Sequence, residues 1–386
     1  MGWSPFRKTG LTFHMPSASV KGYTLVTPMG GDASYLLDMD GRIVQRWRLA
    51  GLRGAVYAQL LPDGRLLAMG TDVNTTPVPP PEPNVVLPFE KHVRRIGGNA
   101  DRLIEYDWDG NEVWRYENHT IHHDFVRLAN GHTVLTEFTE LEPAFAKTVK
   151  GGLKTKEKLP ELVSDDFIEI DAKGKELRRV HLWQLLDPKN DPMCPIERPA
   201  EWTHVNSLDV TPGGDILFSC RMVSRIGLVD PAGKLAWKYG ADLNHQHHAT
   251  VLRNGNVQVF DNGPHRLGQA RSAVVEIDPK TSSVVWQWTA NPEAQFFSAH
   301  ISGAQRLAGD NVLVCEGRTG RLFEITRRGE VVWEWISPFV VATPIGQNQA
   351  WVFRALRYGP DYAGLEGRDL DPERFKSLNQ LYGLIE

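Results

Sequence analysis

The sequence predicts an all-β fold: a six-bladed β-propeller of four-stranded antiparallel blades, its ring closed by N- and C-terminal strands. Three observations predict it. One hairpin pattern occurs six times, a second hairpin alternates with it, and the two chain ends carry complementary hairpins.

The first pattern is a β-rich run, an Asp, a turn with Gly, another β-rich run, and then Trp or Tyr. Its copies are Tyr35–Arg48, Arg102–Glu117, Asp166–His181, Arg225–Gly240, Ala273–Thr289 and Arg321–Ile336. Asp/Gly chemistry sets the turn of each hairpin. At a fixed distance beyond the turn an aromatic recurs as Trp47, Tyr116, Tyr239, Trp288 and Trp335. Two residues earlier stand Trp114, Trp237, Trp286 and Trp333. A separation of two puts both positions on one face of a strand. The third copy departs from this, with Arg178 and Val180 in these places.

The second pattern is an apolar strand that enters a Gly turn and leaves as another strand. It occurs at Ala58–Gly70, Asp124–Thr136, Leu208–Cys220, Thr250–Asp261 and Gly303–Cys315, with a last candidate near Ala350–Gly359. Two hairpins make a four-stranded blade, and a repeat of this length reads as a propeller. An irregular β-sandwich is the alternative, which six in-phase copies disfavour. The last blade is then assembled from both termini, which leaves no free edge. The expected layout is an N-terminal extension over 1–20, one propeller domain over 21–359 and a C-terminal tail over 360–386. Insertions fall at about 72–100 and 144–163. They include a Pro-rich run from Thr75 to Pro88 and a basic, Gly-containing run from Lys147 to Lys158, both read as surface loops placed to act as lids.

Composition narrows the function. The 386 residues are 41% hydrophobic and 23% charged, with a net charge of −4. Nothing here suits a nucleic acid or an anionic membrane. Cys194, Cys220 and Cys315 are widely spaced, without a C-x-x-C pair, so neither a disulfide framework nor a cysteine zinc site is expected. No apolar leader or run of membrane-spanning length occurs, which reads as a cytoplasmic chain.

Several of the 13 histidines fall at one structural position, just before the first strand of successive blades: His122-His123, His204 followed by Asn206, His247-His248, and His300. That strand is innermost in a propeller, so four blades are expected to aim imidazoles at one volume. His14, His92, His132 and His181 read as ordinary surface or turn residues, while His119, His245 and His265 lie close to the pocket elements. Imidazoles supply nucleophiles and acid/base groups near neutral pH. Arg221 and Asn206 beside them make a site for a small oxyanion group. Neutral imidazoles could equally ligate Zn²⁺, Mn²⁺ or Fe²⁺.

Four segments, His122–Leu135, Thr203–Arg221, Gln246–Pro264 and Gly303–Thr326, resemble the bacterial aryl-sulfate sulfotransferases. The opening Gly22–Gly31 and the closing Val352–Tyr358, which contains Arg354, look like that family's edges. The resemblance implies a histidine/asparagine pair at His204 and Asn206, a sulfate-binding arginine at Arg221 and a further pocket histidine at His123 or His122. It puts the nucleophile at His248 or His247, in a ping-pong transfer through a sulfohistidine. This chain departs from the family in having no evident N-terminal β domain, a short segment between Arg221 and His247, and an added imidazole at His300.

The leading expectation is therefore sulfuryl transfer between phenols, with His248, His247, His204, His123 and Arg221 catalytic. Asn206, His122, His300 and Arg354 are expected to bind substrate. It requires no cofactor. The rival is a metal-dependent lyase ligating a divalent transition metal through His123, His204, His247, His248 and His300. A third reading is a non-catalytic propeller that binds a protein or peptide on its face. The expected partner is a small phenolic or anionic molecule, with no nucleic acid and no membrane; nothing in the sequence sets the oligomeric state.

Overall fold

Strand after strand begins or ends at a turn whose geometry the sequence dictates. The computed structural model describes residues 8–72, 85–155, 161–240, 242–342 and 348–385. In chain order the strands are β1 (Gly10–His14), β2 (Tyr23–Pro28), β3 (Ala33–Leu37), β4 (Ile43–Arg48), β5 (Leu52–Leu60), β6 (Leu66–Asp72), β7 (Arg102–Tyr106) and β8 (Glu112–Glu117). Next come β9 (Ile121–Arg127), β10 (Thr133–Glu140), β11 (Val163–Ile170), β12 (Glu176–His181), β13 (Val205–Val210), β14 (Ile216–Cys220), β15 (Arg225–Val229) and β16 (Leu235–Tyr239). The series ends with β17 (His247–Val251), β18 (Val257–Asp261), β19 (Ala273–Asp278), β20 (Ser283–Trp288), β21 (Gly303–Arg306), β22 (Val312–Glu316), β23 (Arg321–Ile325), β24 (Val331–Ile336), β25 (Val341–Ala342), β26 (Asn348–Gln349) and β27 (Val352–Tyr358).

The chain divides into two compact units, one of Met1–Gly70, Leu103–Arg115 and His300–Glu386, the other of Thr71–Arg102 and Tyr116–Ala299. The first holds the sheets β27-β2-β3-β4 and β1-β24-β23-β22-β21, and nearly all of β5-β6-β7-β8. The second holds β12-β11-β10-β9, β13-β14-β15-β16 and β17-β18-β19-β20. These six sheets are the blades of a six-bladed β-propeller.

Gly41, Gly110, Gly174 and Gly233 each donate to the carbonyl of the Asp three residues before, at 2.9–3.1 Å. Each has φ between 77° and 87°, which a side chain would strain. The Asp38 and Asp171 carboxylates also accept the amides two and four residues on. This is the three-residue hairpin expected from the repeat.

The recurring position on the fourth strand has a physical role that the aromatic pattern only half revealed. Gln45 donates to the Trp108 carbonyl at 2.6 Å and Trp333 to that of Met39 at 2.9 Å, in the first unit. In the second unit Arg178 donates to the Asp230 carbonyl and Trp237 to the Ser282 hydroxyl, both at 3.1 Å. Each is an N–H donor that caps the outer turn of the neighbouring blade. Arg178 breaks the aromatic pattern yet keeps the bond.

β27 pairs antiparallel with β2, Tyr23 opposite Tyr358, so one blade is built from both ends of the chain. β1 pairs with β24 and covers the edge strand of another blade, so residues of the expected extension become a fifth strand. Short helices accompany the strands: α1 (Phe89–Val93) and α2 (Pro143–Ala146) in the insertions, and α3 (Lys376–Leu381) in the tail. Asn379 of α3 accepts from the Ile43 amide at 2.7 Å and donates to its carbonyl at 3.1 Å, docking the tail on β4. Residues 73–84 and 156–160 lie outside the described residues. The Pro-rich run is thus described only over 85–88, and the basic run over 147–155. Among the described residues no helix is long and apolar enough to cross a membrane.

Candidate functional site

Within the second unit β13 packs against both β9 and β17, so the first strands of three blades are neighbours. The pairing register of each with its own sheet shifts near its start. There the backbone turns left-handed: φ is 52° at His123, 53° at His204 and 50° at His248. Such a conformation costs a non-glycine residue about 1–2 kcal/mol, and histidine is among the residues that tolerate it. The bulge breaks the in-out alternation, so both members of His122-His123 and of His247-His248 are buried. Three strained residues at one place in three blades mark a constrained site. In the first unit Ile301 has the same conformation, at φ 52°, so His300 corresponds in register to His122 and His247.

The histidines form a chain anchored by a buried carboxylate. Asp165 lies 3.0 Å from Nε2 of His122, and Nδ1 of His122 lies 2.8 Å from Nδ1 of His123. The His123 ring then meets the His204 ring edge to face, centroids 4.5 Å apart. Burial pushes the Asp165 carboxyl up, but bonds from His122, the Thr203 hydroxyl and the Val205 amide outweigh it and hold the group below the usual carboxylate range. His123 is held neutral, well below the usual imidazole range, first by burial and then by His204, His122, His247 and Arg221 around it. His245 is pushed down to about 2, again by burial first and then by Arg221, His265 and His204.

His247 is oriented from behind. Its Nδ1 lies 2.7 Å from Oδ1 of Asn262 and 3.1 Å from the His245 carbonyl. The Asn262 amide nitrogen donates to the Ser298 carbonyl at 2.8 Å, which fixes the amide oxygen towards the ring. Two acceptors at Nδ1 require a proton there, so Nε2 carries the lone pair. Nδ1 of His204 binds the Glu201 carboxylate. Arg221 donates its backbone amide to the His204 carbonyl at 3.0 Å, and its guanidinium binds Glu197 at 2.8 Å. Asn206 spends one amide hydrogen on the Gln246 carbonyl at 2.8 Å, so it positions the peptide preceding His247.

The structure thus gathers His122, His123, His204, His247 and Arg221 in one unit, with Asn206 behind them and His248 buried at the start of β17. His300 and Arg354 belong to the first unit. There His300 packs on Trp351 with centroids 4.9 Å apart, and Arg354 lies over the Tyr57 ring at 4.7 Å. Sequence reasoning missed Asp165, Glu201, Glu197, Asn262 and Gly98. The Asp165-Asp166 doublet opening an apolar strand was a usable signal, as was Asn262 in the Asp261-Asn262-Gly263 turn. Gly98, from the first insertion, was not: its carbonyl accepts the His123 amide at 2.8 Å, and a Cβ on it would sit 2.3 Å from Nε2 of His123.

A protein of unknown function from Bacteroides caccae is similar in structure, with a TM-score of 0.53 and 14% identity over 87% of this chain and 98% of that one. A streptogramin B lyase superposes with a TM-score of 0.47 and 10% identity over 91% and 93% of the two chains. A virginiamycin B lyase from Staphylococcus aureus does so at 0.42 and 13% over 74% and 71%. At 14% identity the first of these bears on the fold alone. No curated protein matches the chain in sequence. Residues 92–338, more than half of the chain and the whole histidine cluster among them, match the profile of the arylsulfotransferases (ASST). The chain belongs to the arylsulfotransferase family.

Proposed function

We propose that this protein moves a sulfuryl group from an aryl sulfate to a phenol, with Nε2 of His247 as the nucleophile. The observation that carries this choice is the pair of acceptors on Nδ1 of His247, which leaves the opposite nitrogen unprotonated. Nε2 attacks sulfur, an N–S bond forms, and the S–O bond to the aryl group breaks. The departing phenoxide takes a proton from Nε2 of a His204 imidazolium, whose Nδ1–H is bonded to the Glu201 carboxylate. An incoming phenol then gives its proton to His204 while its oxygen attacks sulfur and the N–S bond breaks. Arg221 stabilises charge on the sulfuryl oxygens, and neutral His123 packs edge to face on the His204 ring.

The experiment is incubation with p-nitrophenyl sulfate and no acceptor, followed by intact-mass measurement. The wild type and His248→Ala are expected to gain one sulfuryl group, and His247→Ala none. A gain in His247→Ala that vanishes in His248→Ala would move the nucleophile to His248. No gain in any protein would remove the reading.

A further inference from the structure

A second group of donors, whose side chains the proposed reaction does not use, borders it: the His245 carbonyl accepts from His247, and Glu197 binds Arg221. Cys194 Sγ and ring nitrogens of His245 and His265 all lie within 4.8 Å of one another. The backbone holds them in place. The Cys194 amide donates to the Met222 carbonyl at 2.8 Å, and the preceding Met193 donates to the Lys150 carbonyl at 2.9 Å, where the second insertion braces the loop. On the other side Asn244 is a clip. Its side chain accepts the His265 amide at 2.8 Å and its carbonyl accepts that of Gly263 at 2.9 Å. The two rings meet edge to face, centroids 4.3 Å apart.

His245 is 1% exposed, yet neither of its ring nitrogens has a hydrogen-bond partner among the described residues, and neither does Nε2 of His265. A buried polar group left this way costs about 1–3 kcal/mol. Other buried imidazoles of this unit have a hydrogen-bond partner at Nδ1: His122 has His123, His204 has Glu201 and His247 has Asn262. The orphaned nitrogens converge with a thiol, the arrangement that ligands adopt around a cation. Glu197 stands beside them, Oε1 3.5 Å from Nδ1 of His245, and supplies a second negative charge.

We propose that Cys194, His245 and His265 are a zinc site. One thiolate and two imidazoles are a borderline-soft donor set, and a three-ligand zinc keeps a fourth position for water or a carboxylate. Zinc bonds of about 2.3 Å to sulfur and 2.0–2.1 Å to nitrogen put tetrahedral donors about 3.5 Å apart. Closing the group around an ion therefore takes side-chain shifts of about 1 Å. Cys194 is partly exposed, which gives the ion a way in.

The test uses the full chain stripped with EDTA and titrated with ZnCl2 by calorimetry, and with Co²⁺ by absorbance. One equivalent of Zn²⁺ is expected to bind, and Co²⁺ to give a thiolate-to-metal charge-transfer band in the near ultraviolet. Cys194→Ser is expected to lose that band, and both Cys194→Ser and His265→Ala to bind Zn²⁺ at least about 10-fold more weakly. His204→Ala is expected to bind like the wild type. Thermal melts of the stripped variants check that each is folded, and His265, in a half-buried turn, provides the second variant should Cys194→Ser fail. No binding by the wild type, binding undiminished in Cys194→Ser and His265→Ala, or binding lost in His204→Ala alone would each overturn the proposal. None of these readouts depends on sulfuryl transfer, so the site and the reaction stand or fall separately.

Discussion

Replacing Gly98 by alanine asks whether His123 must stand where it does. Gly98 has φ 77°, so any side chain there costs about 1–2 kcal/mol in backbone strain. The added Cβ would also lie 2.3 Å from Nε2 of His123, 2.4 Å from Cδ2 and 2.5 Å from Cε1. Ordinary contact begins near 3.4 Å, so ring or loop must move by about 1 Å. The ring cannot swing freely, because it bonds His122 at 2.8 Å and packs on His204. Overpacking of this kind costs about 1–3 kcal/mol. Gly98→Ala should thus lose about 2–5 kcal/mol of stability, read from urea denaturation. His123 packs on the proposed acid His204, and a 1 Å misplacement at a site costs up to about 100-fold in rate. Turnover of p-nitrophenyl sulfate with phenol as acceptor should fall by about that factor. Gly97→Ala is the control, since nothing lies within 4 Å of a Cβ there; it should be neutral in both assays. Removing the ring relieves the clash, so Gly98→Ala should be less damaging in a His123→Ala background. Equal costs in both backgrounds, or a Gly98→Ala protein as stable and active as the wild type, would refute the reasoning.

Three further outcomes are expected. Asp165→Asn should cost about 3–5 kcal/mol by urea denaturation, because it removes the charge from a buried pair with His122 while Thr203 and Val205 stay committed to that position. The depressed His123 imidazole makes stability pH-dependent: the unfolded chain binds its proton below about pH 6.5 and the folded chain does not, so the contribution is full above that pH and is lost as pH falls. Urea midpoints at pH 7.5, 6.0 and 5.0 should give the wild type a slope about 1.4 kcal/mol per pH unit steeper than His123→Asn below pH 6. Arg178→Ala should lose about 1 kcal/mol by chemical denaturation, the worth of its bond to the Asp230 carbonyl, whereas Arg178→Trp should keep most of it, as Trp237 and Trp333 do.

The sequence by itself determined what repeats. Turn chemistry is local: an Asp that caps its own turn and a Gly with positive φ act within five residues, so the hairpins and the six blades were legible. Legible too was the alignment of His122-His123, His204 and His247-His248 at strand starts, because equal spacing from equal turns implies equal position. The repeat did not show why those residues face inward. A left-handed bulge at His123, His204 and His248 does that, and it leaves no mark on hydrophobic periodicity. Tertiary structure alone decided the partners. Asp165 to His122, Gly98 to His123, and Cys194 to His245 and His265 are pairings between separate segments of the chain. Such pairings depend on how neighbouring blades and insertions stack, and no local pattern encodes that distance. The same holds for β1, whose place on β24 follows from an open edge 322 residues away along the chain at the bond between Thr12 and Glu334.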